Sequence, residues 1–158
     1  ARAGLRGVFT DIDDTLTSHG VVPESTVQAM AALKAAGLDV IAITGRPVGW
    51  SLPFAAAWPL DAIVAENGAV ALLRDPAAPG GVRKLYQQDE ASRAANHQRL
   101  QQVAAHIEQT VPGAKRAQDS AGRETDIAID HSEFARLDAR QIEAVVAQMQ
   151  AAGLHATV

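Results

Sequence analysis

The sequence predicts an α/β fold that gives way, past its midpoint, to an α+β module. Three observations carry this expectation. An apolar run, Leu5 to Thr10 (LRGVFT), ends in a cluster of aspartates, and a second short apolar run, Leu38 to Ile43 (LDVIAI), follows about thirty residues later. Between them lies a helix-compatible segment, so the order strand, helix, strand makes a βαβ unit whose crossover implies parallel strands. The second half instead carries amphipathic helices around an alternating polar–apolar stretch.

Each element has a local reason. Pro23-Glu24-Ser25-Thr26 has helix-start chemistry, with a proline, an early carboxylate and hydroxyls able to cap. Val27, Met30, Leu33 and Ala36 then share a face, and Gly37 is a natural stop. Both apolar runs read as buried strands. A helix is expected from Pro47, kinked or broken near Pro53. Ala62 to Ala65 (AIVA) reads as a third strand, and Glu66-Asn67-Gly68 before AVALL predicts a hairpin, because Asn-Gly between apolar runs favours tight turns. The Pro/Gly loop from Arg74 to Val82 marks a module boundary, giving residues 1–80 and 81–158. Leu100, Val103, Ala104, Ile107 and Val111 keep helical spacing until Pro112-Gly113. Thr125 to Asp130 (TDIAID) alternates like a strand covered on one face, which suggests an antiparallel sheet with helices on one side. Ile142, Val145, Val146 and Met149 give another amphipathic helix, stopped by Gly153, and the final LHATV reads as a strand.

Composition narrows the functional classes. The 158 residues are 47% hydrophobic and 20% charged, ordinary for a globular protein. Net charge is −4 with no basic run, so the electrostatic footprint of nucleic-acid binding is absent. The chain has no cysteine, which removes disulfides and thiolate chemistry. No apolar stretch approaches the roughly 20 residues that span a bilayer, and no signal peptide is recognisable, so the cytoplasm is the default compartment. Nothing in the sequence specifies an oligomeric state.

Chemistry concentrates at two strand ends. In a parallel sheet, ligands bind beyond the carboxyl ends of the strands. Asp11 and Asp13 leave the first strand there, and residues two apart in extended chain point the same way. Two such carboxylates can hold Mg²⁺, and one can act as a nucleophile on phosphorus while the other works as acid and base. The second strand ends in Thr44-Gly45-Arg46, a hydroxyl, a glycine and a helix start that could cradle a phosphate. Each piece also has a plain structural reading: Asp13, Asp14 and Thr15 as a turn and cap, and Thr44 as the cap of the helix starting at Pro47.

DIDDTLT (residues 11–17) resembles the first motif of the haloacid dehalogenase superfamily of phosphatases, Asp-x-Asp-x-Thr, and AITGR (42–46) resembles the second. TGRP and AENGA look like the branch of Cof-type sugar phosphatases, sucrose- and trehalose-phosphate phosphatases and phosphomannomutases. The resemblance implies a Rossmann-like parallel-sheet core with an inserted α+β cap. It implies Asp11 as nucleophile and Mg²⁺ ligand, and Asp13 as general acid/base that also binds the metal through its carbonyl. Thr44 and Gly45 would hold the phosphoryl group, Thr15 would shape the loop, and Asn67 would stand at the rim. The implied activity is Mg²⁺-dependent hydrolysis of a small phosphomonoester, a sugar phosphate above all, through an aspartyl-phosphate. Alternatives are a phosphosugar mutase of the same branch and a non-catalytic phosphate-binding or regulatory module.

Two family motifs, a lysine on a later helix and the acidic pair of Gly-Asp-x-x-Asn-Asp, are not found in these residues. The expectation is therefore a piece of a longer phosphatase, with a degenerate binding domain as the alternative, and no turnover by the 158-residue chain alone. Among secondary candidates, Asn67 reads either as the first residue of a type I′ turn or as a group at the phosphate site. Arg46 reads as an anion contact or as the partner of a nearby carboxylate, and Arg123, beside Glu124, as a substrate contact or a solvated loop residue. His19 and His131 lack partners at metal-ligand spacing, and Trp50 and Trp58 read as packing.

Overall fold

Strands β1 (Gly7–Asp11), β2 (Asp39–Ile43), β3 (Ala62–Ala65), β4 (Val70–Arg74) and β5 (Val82–Tyr86) lie side by side in that order in a single sheet. The structure is a computed structural model and describes residues 4–158. β1, β2 and β3 run parallel, while β4 and β5 return antiparallel. Helix α1 (Glu24–Ala35) joins β1 to β2, and α2 (Val48–Ala57) joins β2 to β3. The register pairs Asp11 with Ile43 and Ile43 with Val64, so the three parallel strands end together.

Local chemistry explains the element ends. α1 stops in a Schellman turn: Leu38 N–H reaches the Leu33 carbonyl and Gly37 N–H the Lys34 carbonyl, with Gly37 at φ 77°. Glu24 sits in the first turn as expected, but no side chain caps this helix. α2 runs unbroken through Pro53. Pro53, sixth of the ten residues, removes the main-chain bond to the carbonyl of Gly49, and the helix carries that loss without ending.

One face of the sheet carries the core. Val40, Ala42, Ile63, Val70 and Leu72 pack there with Met30, Val48 and Ala55 of the two helices, all essentially inaccessible to solvent. The opposite face is bare at several points: Phe9 is 68%, Leu85 56% and Ile43 39% exposed. The expectation that β1 and β2 are buried strands thus holds for Val40 and Ala42 of β2 only, and no residue of β1 is fully buried. Their side chains point to opposite faces, and the helices that build this core lie on one of them.

The chain divides into two compact units, Ala1–Gln88 and Asp89–Val158, with the boundary eight residues beyond the one read from the sequence. The shift comes from β5, whose VRKLY segment pairs along the whole of β4 and so belongs to the first unit's sheet.

The second unit contains α3 (Glu90–Thr110), β6 (Lys115–Arg116), β7 (Ile129–Asp130) and α4 (Ala139–Ala151). Asp89 caps α3 through Ser92 N–H, and Asp138 and Gln141 form a reciprocal capping box on α4. Its core is small: Ile107, Val111, Ala114 and Val145, with Val103, Ile129, Leu137 and Met149 against them. The antiparallel pairing expected of TDIAID is confined to β7, which pairs with β6. LHATV is not a strand; residues 154–158 form no ladder with any described segment. β-branched composition alone does not make a strand without a partner edge. Among the described residues no helix is long and apolar enough to cross a membrane.

Candidate active site

The end of β1 turns tightly around one carbonyl. Ile12 is fully buried, and its oxygen accepts from the N–H groups of Thr15 (3.3 Å), Leu16 and Thr17 (3.0 Å each) and from Thr17 Oγ1 (3.1 Å). Thr17 Oγ1 also accepts from Asp14 N–H at 3.0 Å. Asp14 takes φ 55°, a left-handed conformation that Asp tolerates. Anchoring Ile12 inward leaves Asp11 and Asp13 outside, flanking it. Thr15 Oγ1 donates to Asp11 Oδ2 at 3.3 Å, while the loop's buried tie is Thr17, a residue the Asp-x-Asp-x-Thr pattern does not include.

The second loop is equally specified. Thr44 is buried; its N–H donates to Val64 O (2.9 Å), and its Oγ1 accepts from Arg46 N–H (3.0 Å). A hydroxyl that accepts one bond retains its own proton to donate. Phe9, Thr10, Asp11, Ile43, Thr44, Gly45 and Asn67 line one pocket of about 330 Å³ at the shared carboxyl edge. Asn67 stands close to Gly45: a Cβ there would lie 3.0 Å from Asn67 Oδ1, a tight fit.

Asn67 and Gly68, at φ 54° and 103°, occupy the centre of a turn closed by Ala69 N–H on the Glu66 carbonyl at 3.2 Å. Positive φ at both central residues is the type I′ signature. Asn67 therefore makes the turn and also borders the pocket. Glu66, which no sequence motif singles out, is 2% exposed and accepts from Val48 N–H at 3.0 Å.

Arg46 grips Asp13. Its Nε lies 3.2 Å from each carboxylate oxygen and its Nη2 3.0 Å from Oδ1. The guanidinium carbon sits 5.4 Å from the centroid of the Trp50 ring, in cation–π range. Trp50 itself starts an aromatic ladder along α2, with Phe54 and Trp58 at successive centroid distances of 4.6 Å.

Arg123 belongs to the second unit. It is not a solvated loop residue: its side chain is 10% exposed, held by Asp126 at 2.8 and 2.9 Å and by Asp119 at 3.5 Å. Burial alone would lower its pKa, but the two carboxylates outweigh that effect and keep it above the ordinary arginine value.

Among the described residues no group of three or more His, Asp or Glu side chains is gathered to hold a metal. Asp11 and Asp13 supply oxygen donors only. That chemistry fits a hard cation such as Mg²⁺, which uses one or two carboxylates and keeps several waters.

A sheet whose parallel strands end in carboxylates on one loop and a buried hydroxyl on the next defines an α/β ligand-binding core. Residues 8–110 match the family model of haloacid dehalogenase-like hydrolases, and the chain belongs to that family. A comparison with curated proteins finds no match. Among solved structures, Thermoplasma acidophilum 0175 aligns with a TM-score of 0.69 at 12% identity, over 94% of this chain and 58% of that one. ATP-bound IMP-nucleotidase from Plasmodium falciparum aligns at 0.57 and 8% identity, over 98% and 43%. BT1666 from Bacteroides thetaiotaomicron, a phosphatase of the haloalkanoate (HAD) enzyme superfamily, aligns at 0.49 and 22% identity, over 93% and 49%. The first two likenesses show the fold. The chain spans 58% or less of the length of each of these proteins.

Proposed function

We propose that this chain carries the nucleophile side of a Mg²⁺-dependent phosphohydrolase acting on small phosphomonoesters, with sugar phosphates as the substrate class. The observation that carries the reading is the pocket shared by Asp11, Thr44 and Gly45 at the carboxyl edge of the parallel strands, with Asp13 two residues beyond Asp11. Family membership supports hydrolysis. The TGRP and AENGA segments, which resemble the Cof-type branch, support the sugar-phosphate class.

In this reading an Asp11 oxygen attacks phosphorus, the bond to the ester oxygen breaks, and Asp13 gives that oxygen its proton. Asp13 then takes a proton from water as the water attacks the aspartyl-phosphate, which releases phosphate and restores Asp11. Thr44 Oγ1 and the backbone of Gly45 donate to the phosphoryl oxygens, where charge builds in the transition state. Asp11 and Asp13 would hold Mg²⁺, which would neutralise part of that charge.

Beryllofluoride mimics the phosphoryl group on an aspartate, so it tests the reading directly. ¹⁹F NMR of the chain with Mg²⁺ and beryllofluoride is expected to show a bound species that Asp11→Asn abolishes. A bound signal that survives Asp11→Asn, or none in the unaltered chain, overturns the proposal.

A further inference from the structure

Glu66 is a carboxylate in a place where carboxylates are expensive. It is 2% exposed, and burying such a group requires partners that replace water. One partner is the N–H of Val48, the first residue of α2, whose helical turn has no other use for that donor. The positive end of the helix also favours an anion there.

The main chain around Glu66 makes the second half of the connection. Glu66 N–H donates to Arg46 O at 3.1 Å, and Asn67 N–H donates to Thr44 O at 3.2 Å. Asn67 Oδ1 lies 3.0 Å from where a Cβ on Gly45 would stand. Residues 44 and 46 are thus each hydrogen-bonded from the β3–β4 turn, and Val48 is tied to the same turn by a side chain. The turn does this with Glu66 at φ 49°, a conformation that non-glycine residues other than Asn and Asp avoid. Such backbone persists only where surrounding contacts over-determine it.

We propose that Glu66 is a positioning residue for the phosphate-binding loop. It touches no substrate; it fixes the start of α2 and, through that helix start and its own turn, the shape in which Thr44 and Gly45 meet the pocket. The proposal rests on the phosphohydrolase reading for what the loop binds, but not for how the loop is held.

Two substitutions and two readouts test it. Glu66→Gln keeps a carbonyl that can accept from Val48 N–H, whereas Glu66→Ala removes the acceptor. Hydrogen exchange at the Val48 amide is expected to be slow in the unaltered protein and in Glu66→Gln. In Glu66→Ala it should be about tenfold faster or more, once that donor loses its partner. Calorimetric affinity for inorganic phosphate with Mg²⁺ is expected to fall about tenfold or more in Glu66→Ala and to stay near the original in Glu66→Gln. Leu72→Ala, a cut in the core outside the pocket, is the control for lost stability and should leave the affinity of folded protein unchanged.

Unchanged exchange at Val48 in Glu66→Ala overturns the anchoring. An affinity loss in Leu72→Ala equal to that in Glu66→Ala overturns the positioning role. If the unaltered chain does not bind phosphate, the phosphohydrolase reading fails instead, and exchange at Val48 still decides whether Glu66 holds the loop.

Discussion

In residues 1–88 the polar groups at the strand ends are held by main chain. The Ile12 carbonyl gathers three N–H groups, the Thr44 and Arg46 carbonyls take donors from the following turn, and the buried carboxylate of Glu66 accepts a helix N–H. In residues 89–158 a side-chain cluster is added, in which Arg123 bridges Asp119 and Asp126, and one carboxylate, Asp130, gathers the N–H groups of four successive residues, 132 to 135. The difference follows from the elements available. Parallel strands that end together bring loops side by side, so their backbones can bond across. A unit built on two helices and a two-residue ladder has long connections, and ion pairs and a carboxylate add to the main-chain bonds that close them.

Arginine–aspartate pairs occur in both units, and substituting them probes the contrast. Arg123→Ala is expected to have the largest effect. It takes the arginine from two carboxylates that are only about a quarter exposed, for a loss of about 2 kcal/mol, below the roughly 3–5 of a fully buried pair. Thermal or urea denaturation reads it, and a loss no larger than that of Arg46→Ala would dissolve the contrast. Arg46→Ala comes next. That pair is about two-fifths exposed on each side, so less than about 1 kcal/mol of stability is at stake in a denaturation curve.

The smallest effect is a local response to acid. Asp130 is held down to about 2, first by Ala135 N–H and then, against an opposing effect of burial, by the N–H groups of Glu133, Phe134 and Ser132. A carboxyl whose pKa is depressed in the fold stabilises it above its unfolded value, near 4, and that contribution is lost as pH falls through 2. Amide NMR signals of residues 132 to 135 should therefore hold their positions to about pH 3 and move together with a midpoint near pH 2. Signals that move instead around the unfolded value near 4 would show that these N–H groups do not hold the carboxylate.

Much of the first unit was legible because its signals are local. Apolar runs bounded by aspartates and by Thr-Gly marked the strands, and Asn67-Gly68 marked the type I′ turn, since turn chemistry is set by neighbours in sequence. Asp11 and Thr44 could be assigned to one edge because parallel strands of similar length end together. β5 was not legible: VRKLY mixes charges into its alternation, and its pairing with β4 is decided by the sheet. Glu66 was missed for a related reason. A glutamate before a turn looks solvated in sequence, and only the fold places it under a helix start. Arg123 was named for its possible reach to substrate, whereas its position is set by Asp119 and Asp126, both within four residues of it.

Arg46 lies between the Asp13 carboxylate and the ring of Trp50. An indole beside a cation has an emission that depends on where the cation sits, whereas Trp58 is packed in the core. The fold therefore carries its own optical gauge: the state of the Asp13–Arg46 pair can be followed by light, with no label attached.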